Sequence, residues 1–256
     1  MMHVCKNFSE RRTGGSRVAG HGIAICTTPR SGSNLFCDAM RATNCLGVPA
    51  EYFNKSARRR YDDPVYPADP VEQIYRVLRD GACETGTYAL KLFPSHSVRV
   101  MRHLDWTAVL PDLHFVHLTR ADVLAQAISL VKAHQTGRYR STDAVAGRSV
   151  QFDARAIRAA IDRITAANAY WEAFFARRGI APLRLIYEDV MADLPNALAR
   201  MGGLVGGTPT LGPDWRPALK PQRNGVSADW RALYLAWEEN RSAWPWVSRL
   251  RGRGLC

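Results

Sequence analysis

The chain has 256 residues, 46% of them hydrophobic, and its 35 lysines and arginines against 23 aspartates and glutamates leave a formal charge of +12. That length and apolar share exclude wholesale disorder and suit one full core with at most a small annex. The charge favours an anionic ligand or surface, and leaves nucleic acid, an acidic membrane and a phosphorylated small molecule all open.

The six cysteines, Cys5, Cys26, Cys37, Cys45, Cys83 and Cys256, form no C-x-x-C pair and no zinc-ligand spacing. The opening MMHVCKNFSERRTGG lacks the apolar stretch of a signal peptide, and no run of 18 apolar residues exists for a membrane span. A soluble, cytoplasmic protein is the expectation. Residues 1–20 read as a poorly ordered lead-in and 21–256 as a single domain.

Gly22-Ile23-Ala24-Ile25-Cys26 is an apolar run that reads as a buried strand. Thr27-Thr28-Pro29-Arg30-Ser31-Gly32-Ser33 then turns into a helical pattern at Asn34-Leu35-Phe36. Strand, small polar turn and helix aim backbone N–H groups and a positive helix end at an anion. Ala50-Glu51-Tyr52-Phe53-Asn54 follows Pro49, and Lys55 to Pro70, with Arg58-Arg59-Arg60 and three prolines, shows no clean period. Such a stretch reads as a surface excursion. A helix starts at Asp69-Pro70 and stops near Gly81, Tyr88 to Phe93 is a second strand closed by Pro94, and Val98 to Trp106 a short helix. Leu113 to Leu118 is a third strand running into Thr119-Arg120, and Asp122 to Gln135 a helix. After the polar loop Thr136–Ser149, Asp153 caps the longest helix, up to Gly179. Leu183 to Tyr187 is a fourth strand, Asp193 to Leu204 a helix, Gly202 to Asn224 an extended loop and Ser227 to Glu239 the last helix. Apolar strands separated by helices predict an α/β fold: a three-layer sandwich around a mostly parallel sheet. Ligands of such sheets sit beyond the carboxyl ends of the strands, so Arg30 and Arg120 are expected to face one crevice.

A nucleotide kinase or GTPase would carry G-x-x-x-x-G-K-[ST] at the first turn. Here no Lys follows the Gly, and Thr119-Arg120 stands where an Asp would hold the metal. Sulfuryl transfer moves a less charged group than phosphoryl transfer does. Backbone donors and arginines with no divalent ion suit that chemistry.

The segments TPRSGSNLF, GVPAEYFN and HLTRADVLAQAISLVKAHQTGRY, followed by Tyr170-Trp171, PLRLIYED and LKPQRNGVSADW, together resemble the Stf0-type sulfotransferases over about residues 22–235. The resemblance implies a P-loop-like α/β sandwich, a homodimer, and 3′-phosphoadenylyl sulfate (PAPS) as donor. It puts the 5′-phosphosulfate on Arg30, Ser31, Gly32, Ser33 and Asn34, and the 3′-phosphate on Arg120 and Ser129. It makes Glu51 the base for the acceptor hydroxyl, Arg30 a partner of the developing charge, and Gln222, Arg223 and Asn224 the loop that closes on the nucleotide. The chain departs from the family at Asn34, where Thr is common, and at Phe93-Pro94-Ser95-His96; Lys55–Ala68 matches no family segment, so the acceptor stays unnamed.

Plainer readings stand beside these. Ser33 or Asn34 is an N-cap and nothing more; Glu51 is an exposed carboxylate near a helix start. Arg120 pairs with Asp122 or Glu188, Ser129 packs a helix, and Lys91 either reaches the crevice or snorkels at a sheet edge. His96 is a second candidate base, whereas His103, His114 and His117 read as structural. For the whole chain the alternatives are a metal-dependent nucleotide kinase and a non-enzymatic binder of anionic polymers. The expectation is a small-molecule or glycolipid acceptor, no nucleic acid, no membrane span and no metal.

Overall fold

A computed structural model describes residues 20–139, 143, 149–217 and 225–240. The expected lead-in, Gly20 apart, lies outside the described residues. Four strands form one parallel sheet: β1 (Gly22–Thr27), β2 (Tyr88–Leu92), β3 (Leu113–Thr119) and β4 (Leu183–Ile186), in the order β2-β1-β3-β4. β1 is buried at every position, as a central parallel strand covered on both faces must be. Alternation splits its side chains between two cores. Ile23 and Ile25 pack under α1 (Ser33–Ala42), α8 (Tyr187–Ala192) and α9 (Leu194–Val205). Ala24 and Cys26 face the other way, toward α3 (Pro70–Asp80), α4 (Pro94–Met101), α5 (Trp106–Val109) and the end of α7 (Ala154–Arg178). That second face is aromatic: Trp171, Phe174 and Phe175 of α7 meet Trp106 and Phe115, with ring centroids 5.5–6.2 Å apart.

The remaining helices among the described residues are α2 (Lys55–Tyr61), α6 (Val123–Thr136) and α10 (Gly225–Glu239), ten helices in all. The chain divides into two compact units: Met1–Ala121 with Ile164–Lys220, which carries the sheet, and Asp122–Arg163 with Pro221–Cys256. Within the second unit, Arg231 of α10 pairs with Asp122 at 2.9 Å, Lys132 of α6 donates to Ser227 at 2.9 Å, and Trp230 sits on Phe152. No helix among the described residues is long and apolar enough to cross a membrane.

Four elements differ from the sequence pattern, each for a local reason. The single short helix expected over Val98–Trp106 is two: α4 ends at Met101, and α5 starts at Trp106 because the Asp105 side chain caps it by accepting from the Thr107 N–H. Pro94 does not merely close β2: it takes the first turn of α4, where its missing N–H has no partner to lose. Tyr187 does not end β4 but begins α8. The excursion after Asn54 contains α2, which has no apolar face of its own. The Asn54 side chain caps it by accepting from the Ala57 N–H, and Arg58 lies over the rings of Tyr52 and Tyr66, 5.1 and 5.3 Å from their centroids. Tertiary contact, not periodicity, holds this helix.

Candidate active site

At the carboxyl end of β1 the chain turns through two left-handed residues, Arg30 (φ 64°) and Gly32 (φ 84°), before α1 begins. Glycine is required at 32 for a second reason: a Cβ there would lie 2.0 Å from the Tyr187 ring. Arg30 bears the strain of its φ because the loop is pinned on every side. Thr27 Oγ1 donates to the Leu118 carbonyl at 2.6 Å, so the Ser31 hydroxyl, 2.7 Å away, must be the donor between the two. The Trp171 indole donates to the Thr27 carbonyl at 2.9 Å. Arg120 closes the loop from the end of β3. Its guanidinium donates to the Arg30 carbonyl at 3.2 Å, stacks on Tyr187 at 5.2 Å and has Glu188 3.5 Å from Nε. That Nε is buried without a hydrogen bond. The two arginines thus meet at one strand-end corner, through a backbone contact.

Gly32 is the residue before α1, and no side chain caps the helix. Ser33 and Asn34 are not the caps that the plainer reading would make them. Leu35 and Phe36 donate their N–H groups to the Gly32 carbonyl, at 3.1 and 3.3 Å, which leaves those of Ser33 and Asn34 for something outside the helix, the usual state of an anion-binding helix start.

A second cluster lies beside the cradle. The loop before Glu51 runs along β2, with the Ala50 carbonyl accepting from the Lys91 N–H at 2.9 Å. Lys91, paired in register with Ile25 of β1, sends its ammonium to Glu51 at 2.9 Å and to the Asn34 side-chain carbonyl. Asn54 donates to the other Glu51 oxygen at 2.6 Å. Burial pushes the Glu51 carboxyl up, but Lys91 and the Asn54 hydrogen bond more than reverse this and hold it down at about 2. His96 of α4 is buried, with no partner for Nδ1. Burial lowers it to about 4, against the opposing pull of Glu51. It is neutral at physiological pH.

Cradle and cluster together gather Arg30, Ser31, Gly32, Ser33, Asn34, Glu51 and Arg120. Ser129 lies midway along α6, in the second unit, and Gln222, Arg223 and Asn224 lie outside the described residues. Sequence reasoning left Lys91 undecided between crevice and sheet edge; its ammonium points into the site. The signal was a lone charge in the apolar strand Tyr88-Ala89-Leu90-Lys91-Leu92. One group of described residues has metal-ligand spacing: His21, Asp112 and His114. It sits where β1 and β3 begin, at the end of the sheet away from the cradle.

The family model for Stf0 sulphotransferase matches residues 23–236. The chain belongs to the Stf0 sulphotransferase family. It is a transferase, and its activity is that of a sulfotransferase. Among its relatives are the trehalose 2-sulfotransferases of Mycobacterium tuberculosis, 27% identical over 83% of this chain and 93% of the relative, and of Mycolicibacterium smegmatis, 24% identical over 82% and 92%. The solved sulfotransferase domain from the curacin biosynthetic pathway shares the fold of this sulfotransferase, with a TM-score of 0.52 at 15% identity over 84% of this chain and 83% of that one. The mostly parallel α/β sandwich expected from the strand and helix pattern, and the P-loop-like form that the family resemblance implied, are the architecture of this family.

Proposed function

We propose that this sulfotransferase takes its sulfuryl group from PAPS and passes it in line, without a metal, to a hydroxyl of a carbohydrate, glycolipid or other small acceptor. The uncapped start of α1 and the small residues Ser31, Gly32 and Ser33 suit a phosphosulfate, and the Arg120 guanidinium at the same strand-end corner adds positive charge beside it. In this reading Arg30 and the backbone from Ser31 to Asn34 bind the 5′ end. Arg120 and Ser129 bind the 3′-phosphate, and Gln222, Arg223 and Asn224 close over the nucleotide. The acceptor hydroxyl gives its proton to Glu51 as its oxygen bonds to sulfur. The bond from sulfur to the phosphate oxygen breaks, and that oxygen keeps the electron pair and leaves on adenosine 3′,5′-bisphosphate. Charge growing on it is met by Arg30 and the cradle N–H groups.

The observation that carries the reading is the juxtaposition of a largely buried carboxylate, its side chain 19% exposed, with an uncapped anion cradle, linked by Lys91. A sugar acceptor draws support from the two relatives named for trehalose. We further propose a homodimer, as the family resemblance implies, and a cytoplasmic location. The test is a transfer screen with sulfur-labelled PAPS across trehalose, glycolipids and small hydroxylated metabolites, with and without chelator. Label should move to a polyol and be indifferent to chelator. Dependence on magnesium with ATP as the substrate would favour the nucleotide-kinase alternative. Binding of heparin or DNA that competes with adenosine 3′,5′-bisphosphate would favour the polymer binder.

A further inference from the structure

Lys91 joins the two halves of the site. Its side chain is 5% exposed, so water cannot readily replace a partner that leaves. Of its partners, Glu51 is charged and Asn34, in the first turn of the cradle helix, is neutral. An amide is the weaker of the two, and an anion in the cradle would compete for the same ammonium from the side where Asn34 stands. A carboxylate held in this ion pair is a poor base, because a general base works best with a pKa near the working pH. Other groups do not relieve it. From α4, His96 stays neutral down to about pH 4, with Arg99 beyond it. From α1, Cys37 has its thiol pushed up to about 11 by burial and stays protonated. Asn54, on the Glu51 segment itself, strengthens the hold.

We propose that Lys91 gates the base: it locks Glu51 in an ion pair while the cradle is empty and turns toward the donor's anionic group when the cradle is filled, freeing the carboxylate to accept the acceptor's proton. Lys91 is then a positioning residue that acts through Glu51, and the order of events is donor first, hydroxyl activation second. The inference rests on the PAPS reading given above.

The test is a 13C NMR titration of glutamate-labelled protein, with the Glu51 carboxyl signal assigned by its loss in Glu51→Gln. Wild type without donor should show no Glu51 titration between pH 4 and 8. Saturating PAPS, with no acceptor present, should raise the midpoint by at least one pH unit, a tenfold change in proton affinity. In Lys91→Met the midpoint should already be raised without donor, and PAPS should move it much less. An equal PAPS-induced shift in both proteins overturns the gate, since the donor's charge then acts on Glu51 directly. A donor-free midpoint unchanged by Lys91→Met overturns it too. Should Lys91→Met not fold, the 15N signal of the Lys91 ammonium in wild type decides: it must move on PAPS addition, and an unmoved signal refutes the gate. If wild type shows no saturable PAPS binding, the donor reading falls and the gate with it, whereas the donor-free comparison condemns the gate alone.

Discussion

The cradle and the Glu51 cluster lie side by side and meet opposite demands by opposite means. The cradle is built from backbone: two left-handed residues, a helix start without a cap, and hydroxyls that hold one another through Thr27, Ser31 and the Leu118 carbonyl. Its recognition groups are N–H dipoles, which do not titrate. The cluster is built from side chains of Glu51, Lys91 and His96, each from a different segment, the last two buried and Glu51 largely so. Its properties depend on which of them carry charge. The difference suggests a division of labour: a rigid part that binds an anion at any ordinary pH, and a charge-balanced part that responds to protons and to neighbouring ions.

Glu51→Gln separates the two most sharply. The amide oxygen can still accept from Lys91, so the shape survives while the base is gone. Transfer should fall by about 10²- to 10⁴-fold, the usual worth of a positioned acid or base. Affinity for adenosine 3′,5′-bisphosphate, measured by calorimetry, should stay within a few-fold. Near-normal turnover would remove Glu51 from the chemistry, and a matching loss of affinity would mean that the two regions are not separable.

Gly32→Ala attacks the cradle alone. The added methyl meets the Tyr187 ring at 2.0 Å in a backbone conformation that L-residues avoid. Overpacking together with the left-handed penalty should cost about 3 kcal/mol in urea unfolding, and bisphosphate binding should fall by more than the stability loss alone explains. A variant as stable as wild type would show that Tyr187 moves aside and that the loop is less pinned than its contacts imply.

The contrast also explains what the sequence disclosed. The cradle is one continuous stretch, Cys26 to Leu35, and strand, small polar turn and helix leave a local signature. The order of apolar strands and helices likewise revealed the parallel sheet. The cluster has no such signature. Glu51, Lys91 and His96 come together only because β2 pairs with β1 and the Ala50 carbonyl docks on β2, and pairing register is a tertiary property. α2 escaped notice for a related reason, since its stability comes from Arg58 resting on two tyrosines and not from a helical apolar stripe. Glu51 itself was singled out through family resemblance; composition alone offered many loop carboxylates.

Arg120 stands at the border of the comparison, because it both props the cradle through the Arg30 carbonyl and brings a side-chain charge, set against Glu188, to the same corner. Arg120→Ala should weaken adenosine 3′,5′-bisphosphate by about ten- to a hundredfold, the range for a lost hydrogen bond to a charged group. Adenosine 5′-phosphosulfate, which lacks the 3′-phosphate, should be affected much less. Equal weakening of both ligands would assign Arg120 to the cradle scaffold and leave the 3′-phosphate to other groups.

The smallest effect concerns His96 and is visible only in acid. Its folded pKa is about 4, below the ordinary value near 6.5, so the unfolded chain binds the proton more readily. The stability contributed by keeping His96 neutral is therefore complete above pH 6.5 and is lost as the pH falls toward 4. Glu51 acts in a lower window. Its folded pKa of about 2 makes its contribution complete above about 4.5, with loss only as the pH falls toward 2. His117 and His134 are also lowered, chiefly by burial, and add to the slope in the upper window. The discriminating quantity is thus the difference between proteins. Wild type should lose roughly 1–2 kcal/mol more than His96→Gln in urea unfolding between pH 7 and pH 5. Identical losses would mean that the His96 ring is solvated in the folded protein, and the cluster would then be an ordinary ion pair with no second titrating member.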